Sequence, residues 1–280
     1  MVRVTEHFFG CISFLCVEGP GEDRLMPKGT AFAVSVPDSD QPDVAHCYVI
    51  TARHNLELAQ TDTIFVRVNT DEGFRDILTD RSNWQTHDSA DVACLLVKEE
   101  YAEQVPLSVF VGGDFPHHFR FSESGANFPV SVGTELFFVG LFVQTPGRGR
   151  NLPIARFGHV SRMPSEIILS FPDASYSLEQ LAYLAECGSW GGDSGSPAFC
   201  VFYRTEADGT SRRYIAFLGL ISGHYDIRTK VKARNTEEEF EAAVNSGIAI
   251  VTPAEFVREL LFRDDVVEER KRLVLTRNTP

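Results

Sequence analysis

No apolar run in these 280 residues approaches the ~20 that a helix needs to cross a bilayer. The most apolar early stretch, residues 8–17, has Arg3 as its only basic flank, Glu6 before it and Glu18 after it, and no small-residue cleavage site. It reads as a β-strand rather than a secretory signal. Basic residues are in the minority, 26 Lys plus Arg against 39 Asp plus Glu, for a formal net charge of −13. So acidic a chain has no general electrostatic reason to bind nucleic acid or an anionic membrane. The six cysteines (Cys11, Cys16, Cys47, Cys94, Cys187 and Cys200) include no CxxC pair. In a chain of this size they read as reduced, mostly buried thiols of a cytoplasmic protein. Repeats and low-complexity tracts are missing, and helix signals are sparse.

What is there is β punctuation. Apolar residues make up 43% and charged residues 23%, an ordinary globular balance. Short apolar or alternating runs occur at residues 11–17, 29–36, 47–51, 63–68, 92–97, 134–142, 167–171, 198–203, 214–222 and 248–251, separated by Gly, Pro, Asp and Asn. The 22 Phe residues suit half-buried pleated surfaces. Asp208-Gly209 falls between two runs and predicts a hairpin turn. The clearest helix signal is Thr252-Pro253-Ala254-Glu255, with Thr252 as N-cap, Pro253 at the first helical position and Glu255 completing a capping box; Phe256, Leu260 and Leu261 form the apolar stripe of a helix ending near Phe262. Residues 226–246 read as a polar insert, a solvated loop or short surface helix. The pattern predicts an all-β barrel or sandwich with one C-terminal helix, and residues 107–129 as a linker between two β halves.

The segment richest in chemistry is Gly191-Gly192-Asp193-Ser194-Gly195-Ser196-Pro197. A serine hydroxyl is a weak nucleophile until a base takes its proton and donors stabilise the resulting oxyanion. Glycines let the backbone approach a substrate and aim N–H groups at that charge. The same residues also make ordinary tight turns. A base candidate is His54, which emerges where the apolar run Tyr48-Val49-Ile50 gives way to Thr51-Ala52-Arg53. A carboxylate to fix its tautomer is Asp91, at the mouth of Val92-Ala93-Cys94-Leu95-Leu96-Val97, with Asp88 as the nearby competitor. The adjacent pairs His46-Cys47 and His117-His118 lack metal-ligand spacing. An α/β-hydrolase elbow would need Gly at position 196, which is Ser, and a downstream acid and histidine; His224 is the only histidine after Ser194.

Together these segments resemble the chymotrypsin-like (trypsin-fold) serine proteases. The order His54, Asp91, Ser194 matches, with separations of 37 and 103 residues. Gly29-Thr30-Ala31-Phe32-Ala33-Val34 looks like the strand before the family's histidine. Thr51-Ala52-Arg53-His54 looks like its histidine motif, Gly192 to Pro197 like its serine motif, and Gly219-Leu220-Ile221-Ser222-Gly223 like the strand that pairs with substrate backbone. The resemblance runs from about Cys11 to Phe262. It implies two six-stranded antiparallel β-barrels and a C-terminal α-helix: residues 1–115 with His54 and Asp91, 116–252 with Ser194, and 253–280 as helix and tail. It further implies a serine endopeptidase acting on protein or peptide substrates, with no cofactor and no metal. Ser194 would be the nucleophile, His54 the base and Asp91 its orienter, with the backbone N–H groups of Gly192 and Ser194 as oxyanion hole.

Several departures carry information. Secreted members have a disulfide beside the histidine, yet Asn55 follows His54, and Trp190 stands where another family cysteine would be. The start, Met1-Val2-Arg3-Val4, lacks the activation-cleavage sequence whose new amino terminus would pair with Asp193. Asp193 therefore needs another partner, or else the oxyanion loop orders only with substrate or an effector. This resembles bacterial and Deg-type relatives more than digestive enzymes, without room for an added peptide-binding domain. Gly188 occupies the pocket-base position, which argues against trypsin-like cleavage; Ser222 and Gly247 would line the pocket walls and His224 its entrance. The loop at residues 145–151 reads as a flexible hairpin tip beside the substrate path. A catalytically silent binding or scaffold protein on the same fold is the alternative from another class.

Overall fold

In the computed structural model the described residues are 4–19, 25–38, 41, 44–57, 59, 61–98, 130–170, 178–232 and 239–277. They form an all-β, antiparallel fold with helix at the C-terminal end. The first sheet holds β1 (Ile12–Glu18), β2 (Leu25–Pro37), β3 (Ala45–Thr51), β4 (Thr63–Thr70), β5 (Gly73–Asp80), β6 (Trp84–Thr86) and β7 (Ala93–Leu96), in the order β5-β4-β1-β2-β3-β7-β6. It has seven strands where the resemblance implies six. Its two edges, β5 and β6, are consecutive in the chain and joined by the short turn Arg81–Asn83, so the sheet curls until they meet at one end. Trp84 Nε1 donates to Thr79 Oγ1 at 3.1 Å across that seam.

In the second half, β8 (Glu135–Gly140), β9 (Ile154–Arg162), β12 (Tyr183–Glu186), β13 (Pro197–Thr205), β14 (Ser211–Lys232) and β15 (Glu239–Pro253) close into a six-stranded barrel. β10 (Ile167–Ser170) and β11 (Leu178–Leu181) pair separately. The barrel is filled by inward residues such as Leu136, Phe138, Val160, Leu218, Ile221 and Val251. A phenylalanine layer joins the two halves: Phe32 of the first meets Phe217 of the second at 5.6 Å between ring centroids, and within the barrel the layer continues from Phe217 to Phe199 at 5.8 Å and on to Phe137 at 5.2 Å. Each fully buried Phe contributes roughly 1.5–3 kcal/mol, so this layer fixes one half against the other.

All ten expected strands form, and Gly209 (φ +79°) turns the β13–β14 hairpin as expected. The early apolar stretch is only partly strand: α1 (His7–Gly10) is one helical turn, because the Phe8 ring reaches across to Phe137 and Phe199 at 5.2 and 4.9 Å. Besides α2 (Arg53–Glu57), two helices follow the barrel, α3 (Ala254–Leu261) and α4 (Asp264–Arg277). Thr252 does not cap α3; it lies within β15 with its hydroxyl on Gln180, and Pro253, the last residue of β15, stands at the N-cap with no side-chain cap bond. The expected polar insert is also revised. Residues 226–232 and 239–245 extend the β14–β15 hairpin in register, with Ile227 opposite Val244. The linker at residues 107–129 and the boundary between 115 and 116 lie outside the described residues. Among the described residues, no helix is long and apolar enough to cross a membrane.

Candidate active site

β3 ends at Thr51, and the single turn of α2 swings His54 under cover, 6% exposed. Asp91, fully buried just before β7, receives two hydrogen bonds from that residue: His54 N donates to Oδ1 at 2.9 Å and the imidazole Nδ1 meets Oδ2 at 2.7 Å. A carboxylate only accepts, so Nδ1 carries the proton and Nε2 is left as the accepting nitrogen. Asp91 N in turn donates to Gln180 Oε1 at 3.0 Å. That oxygen also accepts from Thr252 Oγ1 at 3.2 Å, and Thr252 pairs with the Ser222 hydroxyl. The competitor Asp88 lies at the surface, its side chain 92% exposed, near Arg263.

The loop carrying Ser194 comes from the opposite half of the molecule. The Ser194 carbonyl accepts from Thr30 N at 2.9 Å and from Asn55 Nδ2 at 3.0 Å, which locks the serine loop to the residue after His54. Thr30 is the hub: its Oγ1 donates to the Gly192 carbonyl at 2.8 Å and accepts from Leu141 N at 2.9 Å, while its own carbonyl accepts from Thr51 Oγ1 at 2.7 Å. The approach is so close that a Cβ on Gly195 (φ +89°) would overlap the Thr30 carbonyl. Ser194 Oγ donates to the Ser222 carbonyl at 3.3 Å. The amides of Asp193, Gly195 and Ser196 are used within the fold, on Trp190 O, Ile221 O and Asp193 O. Those of Gly192 (φ +99°) and Ser194 make no hydrogen bond among the described residues.

Beneath this loop Asp193 is fully buried, and its partner is internal. Oδ2 accepts from Trp190 N at 2.7 Å and faces Arg156 Nε, on β9, at 3.1 Å. Burial pushes the carboxyl up to about 6, against the Trp190 N–H and the Arg156 charge, which hold it down. A folded-state value above the ordinary one means the folded form binds the proton more tightly. Its contribution to stability is therefore fully present below the ordinary carboxylate range and is lost as pH rises through about 6. In thermal unfolding, the wild type should lose ground to Asp193→Asn as pH rises through that window; a difference flat with pH would contradict the assignment.

The other sequence-predicted residues sit as follows. Cys187 N donates to Gly247 O at 2.9 Å, which places Gly188 beside Gly247. Ser222 is buried, its carbonyl at Ser194 and its hydroxyl on Thr252. His224 Nε2 lies 3.3 Å from Asp226 Oδ1 and is partly exposed. The loop at residues 145–151 is not a free tip: Asn151 is buried, its N donating to Asn69 Oδ1 and its Nδ2 to Arg67 O, both at 2.7 Å, on β4. Sequence reasoning missed Thr30 as hub, Arg156, Gln180 and Thr252. The only signal for Arg156 was the requirement that Asp193 find a cation.

No family model matches the chain, and no curated protein does. Among solved structures, the active form of the Rv3671c protease from M. tuberculosis shares 18% identity at a TM-score of 0.45, covering 90% of this chain and 79% of that one. The inactive form of the same protease shares 19% at 0.45, covering 90% and 87%. So distant a likeness carries no weight for the chemistry, which stands on the geometry above.

Proposed function

We propose that this chain is a serine endopeptidase of the trypsin-fold kind, working through His54, Asp91 and Ser194. The observation that carries the reading is the convergence of a buried Asp91–His54 pair, its Nε2 left to accept, with a serine loop hydrogen-bonded to Asn55. Ser194 Oγ attacks the scissile carbonyl as His54 Nε2 takes its proton; the imidazolium, held by Asp91, then protonates the leaving amine. The free amides of Gly192 and Ser194 receive the oxyanion, and losing one such donor costs about 10²–10³ in rate. Water repeats the sequence to release the acyl group. A peptide is favoured as substrate because β13 stops pairing with β14 at Leu220, while β14 runs on with β15 on its other side. This leaves one edge of Ser222 to His224 for an extended chain to join.

A reducing, cytoplasmic setting fits the six cysteines, all free. Burial pushes the thiols of Cys16, Cys47 and Cys187 up to about 12, which makes them inert fillers of the core. Arg156 stands as the internal partner that the resemblance leaves open for Asp193. A fluorophosphonate probe tests the reading: stoichiometric labelling of wild type, lost in Ser194→Ala, is expected. A folded wild type that never labels would leave the silent scaffold in its place.

A further inference from the structure

We infer that the pocket beside Ser194 selects a peptide residue bearing a carboxylate immediately before the cut. The position of the pocket rests on the peptidase reading; the chemistry comes from four polar groups around Gly188. A Cβ on Gly188 would meet only Trp190 Nε1, at 3.7 Å, and Arg156 Nη1, at 3.9 Å. Two nitrogens that bear hydrogen therefore border a space from which this chain withholds a side chain. Three buried side-chain polar atoms in this region lack a hydrogen-bond partner among the described residues: Arg156 Nη2, Ser189 Oγ and Asp193 Oδ1. Ser189 is 1% exposed, and its carbonyl is held by Asn245 Nδ2, so the residue is fixed while its hydroxyl stays unspent.

Buried polar groups without partners are costly, and such a cluster is explained by a ligand that completes it. Arg156 turns Nε to Asp193, while its buried Nη2 has no hydrogen-bond partner among the described residues. A carboxylate entering over Gly188 accepts from the Nη edge of Arg156, from the Ser189 hydroxyl and from the indole N–H, the charge-assisted pattern that guanidinium groups favour. An apolar side chain would leave the buried Arg156 and Ser189 donors unpaired, and Lys or Arg would meet like charge. The orphaned Asp193 Oδ1 is the one acceptor in the cluster and defines the rival outcome, a preference for a cation.

The test uses Ser194→Ala protein and short peptides identical except for Glu, Gln, Leu or Arg at the residue before the cut, with binding read by calorimetry. The Glu peptide is expected to bind about 10–100-fold more tightly than its Gln and Leu counterparts. Gly188→Asp, whose backbone is outside the left-handed region, should erase that margin by occupying the Arg156 edge. Equal affinities, no measurable binding, or a preference for Arg overturns the inference. Cleavage of the same peptides by wild type separates the two claims. Hydrolysis without a Glu preference sinks the specificity and keeps the peptidase; Glu-selective binding without hydrolysis does the reverse.

Discussion

Replacing Asp91 with asparagine is expected to lower kcat about 10⁴-fold while the chain stays folded. The backbone decides how the new amide sits. His54 N donates to Asp91 Oδ1 at 2.9 Å, so an asparagine must keep its oxygen there. Its NH₂ then replaces Oδ2, 2.7 Å from His54 Nδ1. Two donors cannot face each other, so Nδ1 becomes the acceptor and the proton moves to Nε2. That is the tautomer that cannot take a proton from Ser194. The cavity is unchanged in shape and both hydrogen bonds survive, so far-UV circular dichroism and the unfolding midpoint should stay close to wild type. Full activity in a folded Asp91→Asn variant would remove Asp91 from the catalytic group. Asp88 could not easily replace it, because its side chain is 92% exposed and lies 3.8 Å from Arg263.

The second large effect concerns Arg156→Met. Removing one partner of a buried pair leaves an uncompensated charge, here Asp193, and costs about 3–5 kcal/mol. The loss should appear as a lower midpoint in denaturant at unchanged slope. Asp193 also anchors the turn that carries Gly192 and Ser194, through Trp190 N at 2.7 Å. Once its charge is unpaired the turn rearranges, and kcat/KM should fall by about 10²–10³, the size expected for a misplaced oxyanion donor. Adding Asp193→Asn to Arg156→Met removes the stranded charge and should restore most of the stability without restoring the rate of fluorophosphonate labelling. A single variant that keeps wild-type stability and labelling would show the pair to be idle.

The strands legible in the sequence are those with an apolar or alternating run, such as residues 47–51 and 63–68. β9 escaped because its burial scarcely alternates: Val160 is its one fully buried side chain. β5 escaped as an edge strand whose burial alternates only over Ile77 to Asp80, with the apolar Leu78 on the exposed side. Thr252 was misplaced because Thr-Pro-Ala-Glu carries a sound local helix-start signal, while the pull of Gln180 and Ser222 on its hydroxyl comes from residues 72 and 30 positions away. Residues 226–232 and 239–245 read as solvated because that stretch of sequence is rich in charge, and only their pairing with each other revealed them as β structure.

The sequence by itself determined the residue types able to activate a serine, their order and the glycine-rich turn. These follow from local chemistry and spacing. Only the tertiary structure decided that Asp91 rather than Asp88 is buried against the imidazole, that Thr30 and Asn55 hold the serine loop, and that the missing cation is Arg156. Gly188, an uncharged pocket base by resemblance alone, has a guanidinium nitrogen beside it from β9, a strand that nothing local points to. The physical reason is common to all of these: burial and long-range hydrogen bonding depend on which segments the closed barrel and the phenylalanine layer bring together, and no window along the chain contains that information.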